Sequence, residues 1–165
     1  MKGVNIEFKV GQGYDAHRFE TGRRLVIGGV DIKYEKGLAG HSDADVLVHA
    51  IMDSLLGAAG MGDIGVHFPD DDPRWRGANS VELLEKVTRL LQDKGWWVNN
   101  VDCTVVAERP KLAPYIDAMR ENLAKAMQTT PENVNVKATT TEGMGFAGEG
   151  MGMEAYAVAS IIKRG

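Results

Sequence analysis

Glycine is distributed very unevenly along this chain of 165 residues. Of its 20 glycines, eleven lie within positions 11–65 and five within positions 143–152, whereas positions 66–142 contain only Gly77 and Gly95. Glycine adopts backbone conformations, and permits close approaches, that a side chain would prevent. The glycines follow no three-residue repeat, which excludes a collagen-like fold. We therefore expect tight turns or close contacts with another group in two separate stretches of the chain.

Apolar residues recur with both the strand period and the helix period. Predicted strands cover positions 6–10, 25–30, 101–107, 134–138 and 153–162. Predicted helices cover positions 43–59, 79–95 and 114–127, and positions 63–77 are predicted to form a loop. We expect Ser42 and Asn79 to cap the first two helices, and Gly28 and Gly29 to form a bulge or turn.

This mixture of elements predicts an α/β or α+β fold in one domain, residues 1–165, and of the two we favour α+β. The length is typical of a single domain, and 44% hydrophobic with 25% charged residues is typical of a globular protein. We expect a single mixed β-sheet with the helices packed on one face.

Charge and cysteine content exclude several classes of protein. The net charge of −4 leaves no basic surface of the kind that binds nucleic acid. Cys103 is the only cysteine, so no intrachain disulfide can form and a reducing compartment is expected. Positions 1–10 lack the apolar core of a signal peptide, and no run approaches the length of a membrane span. We therefore expect a cytoplasmic protein with neither a nucleic-acid nor a membrane partner.

Asp15 and His17 form the first pair of potential metal ligands. If the first strand continues through them, residues two apart point to the same face. Carboxylate oxygens and imidazole nitrogens are common zinc ligands. The same Asp-x-His pair also occurs in loops as a simple hydrogen-bonded pair, so further ligands are needed to support a metal site.

His49 offers a third ligand from the first predicted helix. Asp45, His49 and Asp53 recur every four residues and form a polar stripe, with an apolar stripe on the opposite side. A solvated stripe or a His–Asp pair also fits this spacing, but apolar residues flank the stripe closely. Asp15, His17 and His49 would leave one position open, the pattern of a catalytic rather than a structural zinc. On spacing alone, His41 is an alternative third ligand.

Segment 139–148 combines threonines and glycines after a predicted strand. Threonine hydroxyls and glycine N–H groups suit phosphate oxygens, and Glu142 could hold a divalent cation. Its glycines match the dinucleotide-binding spacing, but too few residues follow for the required βαβ unit, which excludes that fold. A glycine hairpin without a ligand is the alternative.

Five ordered motifs together resemble the 2-C-methyl-D-erythritol 2,4-cyclodiphosphate synthase family. They are Gly-Tyr-Asp-Ala-His-Arg-Phe (13–19), Gly-Leu-Ala-Gly-His-Ser-Asp-Ala-Asp (37–45), Leu-Leu-Gly-Ala-Ala-Gly-Met-Gly-Asp-Ile-Gly (55–65), His-Phe-Pro-Asp (67–70) and Val-Lys-Ala-Thr-Thr-Thr-Glu (136–142). The resemblance covers about residues 11–162. Such enzymes are phosphorus–oxygen lyases of isoprenoid precursor biosynthesis. They convert 4-diphosphocytidyl-2-C-methyl-D-erythritol 2-phosphate into the cyclic diphosphate and release CMP.

The resemblance implies a role for each matching residue. Asp15, His17 and His49 match ligands of zinc or another divalent transition metal, and Glu142 matches a residue that holds magnesium or manganese on the substrate. His41 and Thr140 match transition-state stabilisers. The matching substrate-binding residues are His41, Ser42, Asp63, Ile64, Gly65, Phe68, Asp70 and Asp72 near the methylerythritol phosphate, Ala107, Pro110, Lys111, Leu112, Ala113, Thr139, Thr140 and Thr141 near the cytidine, and Phe146.

The resemblance further implies a homotrimer, with sheets around a threefold axis and active sites between subunits. Where relatives often carry an arginine facing an axial cavity, this chain has Glu149, so we expect no isoprenoid diphosphate to bind there. Two other functions fit the same residues: a zinc phosphoesterase that releases a linear product, and a trimeric nucleotide-binding module with structural zinc.

Overall fold

The structure, a computed structural model, describes residues 5–164. Its strands are β1 (Ile6–Thr21), β2 (Leu25–Ile27), β3 (Val30–Ile32), β4 (Lys36–Leu38), β5 (Trp97–Val106), β6 (Val134–Thr139) and β7 (Gly152–Arg164). Its helices are α1 (Val46–Ala59), α2 (Ile64–His67), α3 (Ser80–Asp93), α4 (Ile116–Ala126) and α5 (Gly145–Gly148). Single 3-10 turns lie at Pro73–Trp75, Ala113–Tyr115 and Pro131–Asn133.

The strands form a five-stranded mixed sheet in the order β4-β1-β7-β5-β6. Strands β5 and β6 are parallel, and the other neighbours are antiparallel. The predicted mixed sheet of an α+β fold is therefore confirmed. The prediction of a single sheet is wrong, because β2 and β3 form a separate two-stranded hairpin. Gly28 and Gly29, both at positive φ, make its two-residue turn.

Helix α1 packs on the central strands β1, β7 and β5, with α3 beside it and α4 next to β6. Small residues bring this helix close to the sheet. The inward side chains of β7 are Met153, Ala155, Ala157, Ala159 and Ile161, all buried. In β1, Gly11 and Gly13 face the same helix, and a Cβ on Gly13 would overlap the carbonyl oxygen of Ala50. The first glycine-rich stretch thus brings the backbone of β1 against α1.

The opposite face of the sheet carries exposed apolar side chains. Antiparallel pairing of β1 with β7 places Phe8, Val10, Tyr14, Tyr156 and Val158 on this face. Each of the five side chains is between 44% and 58% exposed. The expectation that helices cover one face of the sheet is therefore confirmed, and an apolar surface remains on the other.

Several predicted boundaries are wrong for local reasons. Strand β1 continues to Thr21 instead of ending at position 10, because it pairs with β7 as far as Arg18. Helix α1 is capped by Asp45, not Ser42, since the Asp45 carboxylate accepts the N–H of Val48. The predicted loop 63–77 contains α2, which Asp63 caps, and a 3-10 turn.

Other predictions were closer to the structure. Asn79 caps α3 as expected, accepting the N–H of Val81. No helix among residues 5–164 is long and apolar enough to cross a membrane. The expectation of no signal peptide concerns positions 1–10, of which residues 1–4 lie outside the described residues.

Candidate metal centre and flanking cavities

Three potential ligands meet where β1 packs on α1. Asp15 and His17 are two residues apart in β1 and point to the helix-covered face, and His49 lies on the first turn of α1. The Oδ2 atom of Asp15 lies 2.8 Å from Nε2 of His17 and 3.0 Å from Nδ1 of His49. The two histidine nitrogens are 3.3 Å apart. The structure therefore brings His49, and not the alternative His41, against the Asp15–His17 pair.

The geometry of this cluster fits a small divalent cation. A tetrahedral zinc with ligand bonds of about 2.0–2.1 Å separates its ligand atoms by roughly 3.3 Å. The three observed separations lie at or slightly below that value. Two imidazoles and one carboxylate supply three ligands, so a fourth position stays available for a substrate oxygen.

Hydrogen bonds on the far side of each ring orient the two histidines. His17 Nδ1–H donates to the carbonyl oxygen of Ala39 over 2.8 Å, which leaves Nε2 to face the cluster. His49 presents Nδ1 to the cluster, and its Nε2 lies 3.0 Å from the hydroxyl of Ser80 and 3.1 Å from that of Ser42. Both rings therefore arrive with a defined nitrogen toward the shared centre.

The cluster also perturbs its own protonation. Burial works to raise the pKa of Asp15, but hydrogen bonds from His17 and His49 outweigh it and lower that pKa to about 2. Burial works to lower the pKa of His17, but the bond to Asp15 outweighs it and raises that pKa. A negative carboxylate is thus maintained beside two imidazoles, which favours a cation at their centre.

A first cavity, of about 620 Å³, lies beside His41 and Ser42. His41 Nε2 lies 3.3 Å from the carbonyl oxygen of Asp72, which links the loop before α1 to the loop after α2. The guanidinium of Arg23 donates to the carbonyls of Gly40 and Ser42, on either side of His41, over 3.0 Å each. The cavity lining is Arg23, Gly40, His41, Ser42, Asp71, Pro73, Arg76 and Gly77.

Of the residues predicted to bind the methylerythritol phosphate, only His41 and Ser42 line this cavity. The others lie in the segments that follow α1. Asp63 caps α2 through the N–H of Val66, and Ile64 N–H donates to Asp53. Phe68 packs edge-on against Trp75, and the Asp72 carboxylate pairs with Arg74. Gly65 and Asp70 are exposed.

A second cavity, of about 860 Å³, lies at the end of β5 and β6. Its lining includes the predicted residues Ala107, Pro110, Lys111, Leu112, Ala113, Thr139 and Thr140, with Tyr34, Glu108, Arg109 and Ala138. The two cavities share no lining residue. Within one chain, the residues predicted near the methylerythritol phosphate and those predicted near the cytidine therefore lie at two separate cavities.

The segment containing Glu142 is exposed and is tied to the Glu108 side chain. Glu108 Oε1 accepts the N–H groups of Thr141 and Gly143, over 3.0 and 3.3 Å. These two bonds flank Glu142, which adopts a positive φ of 52° and is exposed. Glu142 lines neither of the two cavities, and Phe146 lies beyond it on α5, 39% exposed.

Sequence reasoning missed four residues that support these groups: Arg23, Asp43, Ser80 and Glu108. Each acts over at least 17 residues of sequence separation, and no local spacing signals such a contact. It also placed Asp45 on the polar stripe. The structure buries Asp45 completely, where its carboxylate accepts the N–H groups of Gly28, Gly29 and Val48.

The fold and the cluster together define an α+β protein with a candidate divalent-metal centre of the three-ligand type. The chain belongs to the YgbB family, whose model matches residues 8–162.

Relatives at high identity cover nearly the whole chain. The 2-C-methyl-D-erythritol 2,4-cyclodiphosphate synthase of Alkaliphilus oremlandii is 58% identical over 155 residues, which are 94% of this chain and 99% of that protein. Among solved structures, the Plasmodium falciparum IspF complex with CDP matches with a TM-score of 0.83 at 32% identity, covering 94% of this chain and 96% of that one. The bifunctional IspDF of Campylobacter jejuni matches with a TM-score of 0.93 at 40% identity. It covers 96% of this chain, which spans 43% of that longer protein.

Proposed function

We propose that this protein is a 2-C-methyl-D-erythritol 2,4-cyclodiphosphate synthase, a phosphorus–oxygen lyase that releases CMP. The observation that carries the proposal is the Asp15–His17–His49 cluster, in a chain 58% identical to a synthase of that name. Residues 1–165 form its one catalytic domain, and it works in the cytoplasm.

The reaction joins two phosphate groups of one substrate. An oxygen of the 2-phosphate of 4-diphosphocytidyl-2-C-methyl-D-erythritol 2-phosphate forms a bond to the β-phosphorus. The bond from that phosphorus to the CMP oxygen breaks, and CMP leaves with the bonding electrons. A phosphate with a second pKa of about 6 is largely ionised at neutral pH, so the step needs no strong base. Positioning and charge neutralisation carry phosphoryl transfer of this kind.

Two metal sites supply the positive charge that an acidic chain lacks. Asp15, His17 and His49 would hold zinc or another divalent transition metal, and Glu142 would hold magnesium or manganese with the substrate. Such cations would polarise the phosphate oxygens and neutralise their charge. The chain's own polar groups then orient the substrate, with His41 and Thr140 donating to the phosphates in the transition state.

The two cavities divide the remaining contacts. The methylerythritol phosphate lies against His41, Ser42 and the loops that begin at Asp63 and Phe68, including Ile64, Gly65, Asp70 and Asp72. The cytidine lies in the second cavity, against Ala107, Pro110–Ala113, Thr139 and Thr140, with Thr141 following in sequence. Phe146 binds the substrate from a separate cavity that it lines with His17. The zinc ligands and Glu142 line neither of these two cavities. This separation supports an active site that two subunits complete.

The exposed face of the sheet supports a homotrimer. Phe8, Val10, Tyr14, Tyr156 and Val158 would leave a contiguous apolar surface in water if the chain were a monomer. Three such sheets around a threefold axis bury this surface and bring the cavities of neighbouring subunits together. Glu149 is exposed after α5, and its negative charge disfavours isoprenoid diphosphates at the axis.

Phosphorus-31 NMR on the purified protein tests this function. With substrate, zinc and magnesium, we expect CMP and the cyclic diphosphate to form in equal amounts, and a chelator to stop the reaction. A linear diphosphate in place of the cyclic product would indicate a zinc phosphoesterase instead. Absence of CMP would refute catalysis and leave the nucleotide-binding module.

A further inference from the structure

We infer that Asp43 and Ser80 act as a positioning pair that fixes His49 for metal binding. This inference rests on the proposed metal centre. Neither residue belongs to the cluster or lines the cavity beside His41. Asp43 precedes α1 and Ser80 begins α3. The two side chains meet at the Nε2 edge of the His49 ring, on the side away from Asp15.

Three consecutive contacts make up the arrangement. The Ser80 hydroxyl donates to Oδ1 of Asp43, and the Ser80 backbone N–H donates to Oδ2 of the same carboxylate over 3.0 Å. The Ser80 oxygen lies 3.0 Å from Nε2 of His49. Ser80 is fully buried, and His49 is 8% exposed. The contacts are therefore shielded from water, which strengthens them.

The direction of these hydrogen bonds follows from the donors and acceptors present. Because the hydroxyl proton of Ser80 is donated to Asp43, the Ser80 oxygen can only accept from His49. His49 must then carry a proton on Nε2, so Nδ1, which faces Asp15 and His17, is the nitrogen left to give up its proton and bind a metal.

Ser42 alone would not impose this state. Its hydroxyl oxygen lies 3.1 Å from the same Nε2 and accepts the N–H of Ala44. The hydroxyl proton of Ser42 has no other partner among the hydrogen bonds of the described residues, so it can donate to an unprotonated Nε2. In that alternative Nδ1 would be protonated and unable to bind a metal. The Asp43–Ser80 pair excludes it, because the lone pair of the Ser80 oxygen would then face the lone pair of the unprotonated Nε2.

Zinc affinity of Ser80→Ala tests the pair, measured by competition with a chelator. The backbone N–H bond to Asp43 survives this change, so only the hydroxyl is removed. Outer partners of metal-bound histidines contribute about 10-fold to 100-fold in affinity, and we expect a loss of about 10-fold or more. Ser54→Ala is the matched control, since Ser54 is equally buried but its hydroxyl donates to the carbonyl of Ile51 within α1. We expect that control to bind zinc within twofold of the unaltered chain.

A second variant and a spectroscopic readout separate positioning from simple stability. Asp43→Asn should weaken zinc binding as well. The Asp43→Asn/Ser80→Ala double variant should lose less affinity than the sum of the two single losses, because both residues act through one contact. In the zinc-loaded chain, the Nε2-bound proton of His49, observed by nitrogen-15 NMR, should exchange faster with water in Ser80→Ala than in Ser54→Ala.

The outcomes distinguish this inference from the function on which it rests. If the unaltered chain binds no zinc, the metal centre is refuted together with the inference. If the unaltered chain binds zinc, and Ser80→Ala binds it equally well with an unchanged His49 proton, the metal centre stands and the positioning role is overturned.

Discussion

The metal cluster lies in the packed interior between β1 and α1, whereas the Glu142 segment lies on the surface. The ligand atoms of Asp15, His17 and His49 lie within 3.3 Å of one another. Hydrogen bonds within the same chain orient the two histidine rings. Glu142 is exposed, and the Glu108 side chain binds the backbone on either side of it, in addition to local bonds among Thr140, Thr141 and Met144. The interior half of the proposed site, Asp15, His17 and His49, is thus assembled within one chain, and the surface half, the segment around Glu142, lies apart from it.

The largest effect should come from removing a ligand of the interior half. His49→Ala leaves two ligands and should lower turnover by about 10³-fold, the equivalent of about 4 kcal/mol of lost charge stabilisation. The protein should remain folded, because His49 is not part of the main apolar core. Turnover, zinc content and native mass are the measurements. His67→Ala, whose ring lies outside the cluster and bonds the carbonyl of Met61, should keep its zinc. A fully active His49→Ala variant would show that catalysis does not depend on the Asp15–His17–His49 cluster.

The close packing of β1 on α1, which brings the three metal ligands together, depends on Gly13. A methyl group on Gly13 would overlap the carbonyl oxygen of Ala50, so Gly13→Ala should lower the free energy of unfolding by about 2–4 kcal/mol. Gly57→Ala, at the same helix–strand contact, has its nearest atom 3.8 Å away and should stabilise the helix by about 0.5–1 kcal/mol. Urea unfolding of the metal-free protein measures both. Equal effects of the two changes would contradict a tight β1–α1 contact.

The surface half should respond to loss of the Glu108 carboxylate. Glu108→Ala removes the acceptor for the N–H groups of Thr141 and Gly143, and the backbone of Glu142 should loosen. We expect the magnesium concentration for half-maximal turnover to rise about 10-fold, since hydrogen bonds to a charged group contribute about 1.5–3 kcal/mol. Glu108→Gln keeps an acceptor oxygen and should show a smaller rise. Zinc content should stay constant in both, and a loss of zinc would mean that the halves are coupled within one chain.

A smaller effect concerns pH. The raised pKa of His17 means that the proton on the Asp15–His17 pair stabilises the metal-free fold below pH 6.5, and that this contribution fades as pH rises through the raised value. The carboxylate of Asp15, with a pKa of about 2, stays ionised throughout. Zinc must displace the His17 proton, so the rise in melting temperature on adding zinc should be larger at pH 8 than at pH 6. Calorimetry at the two pH values checks this, and an equal rise would exclude His17 as a ligand.

Local patterns predicted the interior half better than its supports. The two-residue spacing of Asp15 and His17 gave their common face, and the helical position of His49 gave a polar site within apolar surroundings. The length of β1 depends on its pairing with β7, and the position of Asp45 depends on its bonds to the Gly28–Gly29 turn. No local residue spacing indicates either contact. Glu108 and Ser80 act across 33 and 31 residues of sequence, respectively. Contacts of that range follow from tertiary packing, so sequence reasoning could not place them.

The proposed active site takes its zinc half from one subunit and its Glu142 half from a neighbour. His49→Ala and Glu142→Ala should each be inactive, and trimers formed from an equal mixture of the two should regain activity. In random trimers, roughly one quarter of the sites combine an intact zinc half with an intact Glu142 half, so about a quarter of normal turnover is expected. Mixed trimers, verified by native mass, that showed no activity above either variant alone would contradict the claim.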